Sequence, residues 1–459
     1  MSKIPDNTNN VKNAANTVKN AAKNTMNAMK GAMDSVMSGN CYLIVVYLVC
    51  IIFLVIFSYS VYLKREFSKA GRNRDEMEKV RLSDSGEYMG LKPLDDADYN
   101  KEGDYGKGTY FALIDYHIKG SYNSCSTGPA VNGWVDPLAL KSVITRGVRF
   151  LDFEIYLKKN QAVVALQKQP YPSGAKPSKC TTCNYKDSLN ELNILNVLEL
   201  VKREAIESGN CRNNTDPLIL SFRIMSENDN VYSILAHSIK KTFSNYLLPA
   251  KYGYCGTVKA SGSGNKKYSG NGKSIFQNSV LYADLIHLKN KVVIFAKGPP
   301  NNPQSYKNNR KFYELMNGGD EDSMLNYKSD YRIMNDSETF NVEEHKYNYC
   351  ISYPDMTSKN NSTASVHFKR GCQAILMNFG TGYNDTEMKY YKERFSNEQR
   401  AFILKPKNLR RKRLFGKKAQ PQDPALNPIQ RECVIDGSNF GFEGEMQMGN
   451  IGMAPDMCK

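Results

Sequence analysis

Paired metal-ligand motifs are missing from this chain. Eleven cysteines are scattered through 459 residues, and the one close pair, Cys180 and Cys183 in CTTC, has no second C-x-x-C and no H-x-x-x-H mate at a useful spacing. Half a ligand set does not make a structural zinc site, so a disulfide or plain free thiols are the readings for that pair. Charge is equally absent from residues 41–63, CYLIVVYLVCIIFLVIFSYSVYL. As a helix rising 1.5 Å per residue, that run spans about 34 Å, slightly more than a hydrocarbon core of about 30 Å, which predicts a transmembrane helix. A long polar stretch precedes it and no small-residue cleavage pattern follows, which excludes a cleaved signal peptide. Aromatic residues do not interleave the basic run KPKNLRRKRLFGKK, and no nucleic-acid motif accompanies it. Nucleic acid is therefore not an expected partner.

What the chain does have is length and positive charge. At 459 residues it can bury a sizeable core, as one large domain with appendages. The net charge of +16 and pI near 9.1 point to an acidic partner. The C-terminal run packs eight basic residues into fourteen: Lys405, Lys407, Arg410, Arg411, Lys412, Arg413, Lys417 and Lys418. Adsorption to anionic phospholipid is the simplest account of it, at about 1 kcal/mol per basic residue near the surface. Lys64, Arg65, Lys69, Arg72, Arg74, Lys79 and Arg81 follow the apolar run, whereas only Lys23 and Lys30 lie comparably near before it. The positive-inside rule then puts the N-terminus outside and the large C-terminal part in the cytoplasm. Sequons at Asn213, Asn335, Asn360, Asn361 and Asn384 arise by chance in so Asn-rich a chain and do not fix the compartment.

The organisation follows from texture. Residues 1–40 are polar and carry the near-repeat VKNAANT/VKNAAKN, which places Val11, Ala15, Val18, Ala22, Met29, Met33 and Val36 on one stripe of an amphipathic helix, although small apolar residues and Asn fit a weakly ordered tail as well. Residues 64–107 form a basic juxtamembrane linker. From about 108, TYFALIDYHI, GVRFLDFEIYL, QAVVALQ, DPLILSFRIM, NKVVIFAKG and CQAILMNFG read as strands; ALKSVITR, NELNILNVLELVKREAIES and VYSILAHSIKKTFSNYLL read as helices. Alternation of this kind favours a parallel sheet with helices outside. The Gly/Ser/Asn/Lys-rich 258–274 reads as a flexible insertion between halves at 108–257 and 275–404, and 405–459 as a basic run with an irregular tail.

Several segments carry a resemblance. RGCQAILMNFGTGYNDTEMKYYKERFSNEQRAFILKP (370–406) is similar to the end of the Y half of the phosphoinositide-specific phospholipase C barrel, with its Gly-Cys-Gln, Leu-Asn-Phe-like and Leu-Lys-Pro elements. LKSVITRGVRFLDFEIY and DPLILSFR resemble segments of the X half, in the same order, over roughly 108–410. The anchored form with Tyr-Asn-Ser-Cys looks like the phospholipase-C-like proteins of large DNA viruses, which implies a virion or virus-derived internal membrane. The resemblance implies a distorted TIM (β/α)8 barrel that cleaves a phosphodiester with two histidines and a calcium ion held by Asn, Glu, Asp and Glu.

Residue by residue, the implied site is altered. With IKGSY set against the family's Ser-His-Asn-Thr-Tyr, Lys119 takes the position of the first histidine and Gly120 that of the ligand Asn. His117 shares the parity of Lys119 and is the candidate substitute base, although a buried His bonded to a neighbouring carboxylate is the commoner outcome for a residue so placed. Asp152 and Glu154 keep the acid pair in swapped order, Leu166 stands for the second histidine, and Arg223 for the last ligating Glu. Arg223 aimed at Asp152 and Glu154 would fill calcium's place, so calcium is expected to be lost and no metal or other cofactor is expected. Lys297 matches a phosphate-binding lysine while Pro299 replaces the next, and reads equally as a solvated strand end; Tyr353 matches the inositol-stacking tyrosine while Ile351 replaces its Arg partner. The expected ligand pocket is thus Lys119, Asp152, Glu154, Arg223, Lys297 and Tyr353. The reading is a non-catalytic scaffold or lipid- or protein-binding module. The alternative is an active metal-independent phosphoric diester hydrolase using Lys119, His117 and Arg223.

Overall fold

A computed structural model of the chain describes residues 19–30, 44–65, 68, 71, 91–99, 110–128, 133–166, 190–226, 228–249, 252, 279–299, 302–319, 325–355, 361–381 and 385–411. The chain divides into two units, Met1–Arg411 and Lys412–Lys459, and the second lies outside the described residues. So do the CTTC pair and the 258–274 insertion.

Eight parallel strands run in order around the barrel. In chain order the strands are β1 (Tyr116–Ser121), β2 (Phe150–Lys158), β3 (Gln161–Ala165), β4 (Glu191–Asn193), β5 (Leu218–Ile224), β6 (Val292–Lys297), β7 (Gly318–Gly319), β8 (Leu325–Ser329), β9 (Tyr349–Tyr353), β10 (Ala374–Met377) and β11 (Phe402–Leu404). Pairing follows β7-β6-β5-β2-β1-β10-β9-β8, every step parallel. β3 and β4 form an antiparallel flap on β2, and β11 pairs antiparallel with the start of β1. Once the flap and β11 are set aside, the strands follow one another around the ring in chain order. That is the order of a (β/α)8 barrel, distorted because no pairing joins β7 to β8 among the described residues.

The strands are buried on both faces, as a covered parallel sheet requires. Alternation then sorts side chains between two cores. Tyr116, Ile118, Phe150, Ile219, Val293, Phe295, Tyr349 and Ile351 fill the barrel, and Phe295 packs 6.2 Å from Phe150 and 5.6 Å from Tyr349 between ring centres. Leu151, Phe153, Ile155, Leu220, Phe222 and Ile294 face the outer helices. Three of these helices start where side chains accept otherwise orphaned N–H groups: Asp136 from Leu138 with Pro137 behind it, Asn193 from Leu195, and Asp385 from Glu387. The read helices at Pro137–Thr145, Ile194–Lys202 and Asn230–Phe243 are present.

Outside the barrel, Ile44–Arg65 is a 22-residue helix of mean hydropathy 2.8 with none of its apolar window buried by protein, long and apolar enough to cross a membrane. Residues 19–30 are also helical and largely exposed.

The first strand differs from its reading. TYFALIDYHI does not run extended, because the Asp115 carboxylate accepts from the Ala112 N–H at 3.0 Å and winds Leu113–Asp115 into a 3-10 turn. β1 begins at Tyr116 and reaches Ser121, three residues past the expected end.

Candidate functional site

The C-terminal ends of β1, β2, β5 and β6 converge at one mouth, and register decides what meets there. Asp152 lies beside Ser221, Glu154 beside Arg223, and Arg223 beside Lys297 on adjacent strands. Because Phe150, Ile219 and Val293 lie inward one pleat below, the polar layer sits on an apolar floor. Charges there attract more strongly than in water, and unpaired ones cost more.

Arg223 occupies the centre. Its Nε donates to both Asp152 oxygens at 3.1 and 3.0 Å, Nη2 donates to Asp152 Oδ2 at 2.8 Å, and Nη1 donates to Glu154 Oε1 at 2.9 Å. Nη2 also donates to Asn123 Oδ1. The guanidinium lies 4.5 Å from the Tyr122 ring centre, and Tyr122 stacks on Tyr353 at 5.6 Å and 11°. Burial alone would lower the Arg223 pKa, but Asp152, Tyr122 and Glu154 outweigh it and hold it well above the ordinary arginine value. The ring of partners continues outward. Ser221 Oγ donates to Asp152 Oδ1 and meets Tyr327 Oη, each at 3.1 Å; Tyr156 Oη donates to Glu154 at 3.3 Å.

Asp152, Glu154 and Asn123 are an oxygen donor set suited to a hard cation. Their shared centre is taken by the guanidinium, so a calcium ion does not fit with Arg223 in this position.

Beside this mouth, Lys297, Tyr327, Lys328, Arg332 and Glu344 line a cleft of about 230 Å³. The Lys297 ammonium lies 5.2 Å from the Tyr327 ring centre.

Two expected site residues are elsewhere. Lys119 and His117 share a parity, but it is the outward one. Lys119 Nζ donates to the Arg146 carbonyl at 2.8 Å and lies 6.0 Å from the Phe395 ring, fully buried under the helices. His117 Nδ1 meets the Cys372 carbonyl at 2.7 Å and its ring packs edge-on against Phe368. Burial pushes the imidazole pKa down to about 3, with Lys405 adding to the effect. Neither reaches the mouth, which corrects their assignment as pocket or catalytic groups. Gly120 faces inward, where a Cβ would meet Leu376 Cδ2 at 2.3 Å; it serves close packing and holds no ligand position. Leu166 packs in the outer core.

The residues missed are Tyr122 and Asn123. Setting Ser121-Tyr122-Asn123-Ser124-Cys125 against Ser-His-Asn-Thr-Tyr keeps the Ser and the Asn and puts Tyr122 at the histidine. That register was the available signal. Burial raises the Tyr122 phenol far above its ordinary range, so it is no base at neutral pH. The remaining histidines stay away from the mouth too: His237 and His287 are exposed outside the barrel, and His345 and His367 are buried in the helical shell. There, His367 joins Ser352 Oγ at 2.9 Å and Asp330 at 2.7 Å, a chain whose serine and imidazole are fully buried and which ties β9 to its helices.

The basic run is corrected in part. Lys405 is buried, donating to the carbonyls of His345 and Gly371 at 3.2 and 3.3 Å, and burial pulls its pKa down to about 8. Arg410 is buried over the Phe111 ring at 4.9 Å, and Arg411 stacks 4.5 Å from Tyr282. These groups hold the end of the barrel together. Lys407 is exposed, while Lys412, Arg413, Lys417 and Lys418 lie outside the described residues.

No protein-family model matches the sequence, and no curated protein matches it. Among solved structures, L. pealei PLC21 aligns over 65% of this chain and 38% of its own, at 17% identity and a TM-score of 0.47. S. officinalis PLC21 aligns over 69% and 40%, at 17% and 0.48. A calcium-dependent phosphoinositol-specific phospholipase C from a Gram-negative Pseudomonas species aligns over 62% and 92%, at 11% and 0.36. The matched region thus spans about two fifths of either PLC21 protein. The barrel assignment stands on strand order and pairing.

Proposed function

We propose that this chain is a membrane-anchored barrel of phosphoinositide phospholipase C type that has given up hydrolysis and serves as a binding module for phosphate-bearing lipid headgroups. The observation that carries the proposal is Arg223, locked onto Asp152, Glu154 and Asn123 where a removable cation would otherwise sit. Phosphodiester cleavage by this kind of site needs a group that titrates near neutrality. The mouth holds a buried phenol at Tyr122 in its place. An active metal-free enzyme is less well supported, because its two candidate bases, Lys119 and His117, face the helical shell.

In this reading the Ile44–Arg65 helix anchors the protein, and the basic residues after it keep the barrel on the cytoplasmic side, at a virion or virus-derived internal membrane. Lys297 and Arg332 take the headgroup phosphate in the cleft, and Tyr327 supplies an aromatic wall. The test combines two assays on the full-length protein in detergent or nanodiscs. Inositol phosphate release is expected to be absent with and without calcium, and binding to phosphoinositide vesicles is expected to fall at least tenfold in Lys297→Ala/Arg332→Ala. Calcium-stimulated turnover by the wild type would overturn the loss of catalysis; vesicle binding indifferent to the double substitution would overturn the cleft as the headgroup site.

A further inference from the structure

Behind the cleft, on the outward face of the barrel wall, three soft donors meet. Cys350 projects from β9, Cys372 lies just before β10, and His345 comes from the last turn of the Glu338–Tyr347 helix packed across both. All three are fully buried, and their donor atoms lie within 4.8 Å of one another. The two sulfurs are 3.6 Å apart and Cys372 Sγ is 3.8 Å from His345 Nδ1.

Those separations have a chemical meaning. Two Zn–S bonds of about 2.3 Å meeting at a tetrahedral angle hold their sulfurs about 3.8 Å apart, and a sulfur and an imidazole nitrogen about 3.6 Å apart. A disulfide needs about 2.05 Å. The two measured edges match those of a tetrahedron around a thiophilic ion, and the third lies within 4.8 Å.

A second observation points the same way. His345 Nε2 is buried with no hydrogen-bond partner among the described residues, and Glu344 Oε2 lies 3.9 Å from it. Glu344 also lines the cleft, so it stands between the buried imidazole and the cleft. At present Nδ1 lies 2.8 Å from the Arg370 carbonyl and so carries the ring proton. An ion taken by Nδ1 moves that proton to Nε2, which faces Glu344 Oε2 at 3.9 Å; that oxygen also accepts from Lys328 Nζ, and it accepts the relocated proton only after a closer approach. The result is the carboxylate–histidine–metal arrangement in which an outer carboxylate fixes the tautomer.

We infer that Cys350, Cys372 and His345 form a binding site for a thiophilic d10 cation, zinc(II) being the class that two thiolates and an imidazole select. Loading releases two thiol protons to solvent and leaves the imidazole neutral, its proton relocated. The ion ties the Glu338–Tyr347 helix to β9 and to the chain just before β10.

The experiment uses the untagged full-length protein with Cys180→Ser and Cys183→Ser, which removes the other close thiol pair. Cobalt(II) is the optical probe and zinc(II) the competitor. One cobalt per chain is expected, with thiolate-to-cobalt charge-transfer absorption that zinc abolishes. Cys350→Ser and Cys372→Ser each lose that absorption. His345→Gln keeps it but shifts the d–d bands and weakens binding at least tenfold. Glu344→Gln folds with the site intact and weakens zinc binding about tenfold, the loss that outer partners typically give. Circular dichroism identifies any variant that fails to fold, and the Glu344 variant then decides. Absorption that survives both serine substitutions, no uptake by folded protein, or a Cys350–Cys372 disulfide in peptide maps of the purified chain would each overturn the site.

Discussion

Replacing Arg223 by Ala should cost the barrel about 3–5 kcal/mol, the penalty for removing one partner of a buried ion pair. The structure accounts for the size. Asp152 and Glu154 side chains are 1% and 0% exposed and Arg223 only 10%, so solvent screens the contacts little. The substitution removes five donated hydrogen bonds and strands two carboxylates above an apolar floor. At roughly 2 °C per kcal/mol or somewhat more for a domain of this size, the melting temperature at pH 7 should fall by at least 6 °C. Thermal unfolding followed by near-ultraviolet circular dichroism measures it. Calcium should recover part of the loss in Arg223→Ala, because Asp152, Glu154 and Asn123 are then open to a hard cation, and should leave the wild type unchanged. A compensated variant, Arg223→Met with Asp152→Asn and Glu154→Gln, should return to within about 1–2 kcal/mol of wild type, since replacing a whole buried cluster is far cheaper than breaking it. Arg223→Ala within 1 kcal/mol of wild type, on the scale of a solvated surface pair, would refute the reasoning.

Other consequences are quicker to check. His117 has a folded pKa of about 3 against 6.5 ordinarily, so the unfolded chain binds the extra proton between those values and stability drains away as pH falls from 6.5 toward 3. In urea titrations, His117→Gln should gain on the wild type by about 1.4 kcal/mol per pH unit across that window; a constant difference would place the ring's charge elsewhere. Asp216, raised to about 6 mainly by burial, has the opposite sign: its contribution is lost as pH rises from 3.8 through 6, and Asp216→Asn should hold its advantage at neutral pH. Gly120→Asn should create no calcium site and should destabilise by about 1–3 kcal/mol through overpacking against Leu376 and Phe150. Calcium binding by that variant would reinstate Gly120 as a ligand position.

β2, β5 and β6 and the pairing of Asp152, Glu154 and Arg223 were legible in sequence, from fully apolar outward faces and inward charges at spacing two on adjacent strands, whereas the barrel came from the resemblance alone and β4, β7, β8, β9 and β11, short or rich in polar residues, were not read as strands. The first strand was misread because period two fixes which residues share a face but not which face is inside. Asp115, His117 and Lys119 do share one; what hides them is a set of backbone carbonyls, from Cys372 and Arg146, that no sequence pattern announces. The turn at Leu113–Asp115 had the same effect on register, since a carboxylate reaching back three residues delays the strand and carries its end past Lys119 to Ser121, with Tyr122 just beyond it. Lys405 and Arg410 illustrate the limit for charge: a basic run reads as surface, yet carbonyl oxygens and aromatic faces satisfy its first members inside the fold.

In the proposed reading, Tyr122 and Arg223 at the mouth act as one arrangement. A histidine at position 122 would stand beside a permanent guanidinium 4.5 Å away and would be disfavoured in its charged form, whereas the tyrosine present there meets the same guanidinium with its ring face and is stabilised by it. Tyr353 stacks on Tyr122 as well, so the guanidinium and the two rings support one another; in the proposed reading they stand where a cation and a base would be. Restoring either group singly should therefore restore little: Tyr122→His in the presence of Arg223 gives a poorly basic imidazole, and Arg223→Glu in the presence of Tyr122 adds an oxygen ligand without a base. Only the double substitution brings both, and measurable inositol phosphate release from either single variant would show that the two positions act independently.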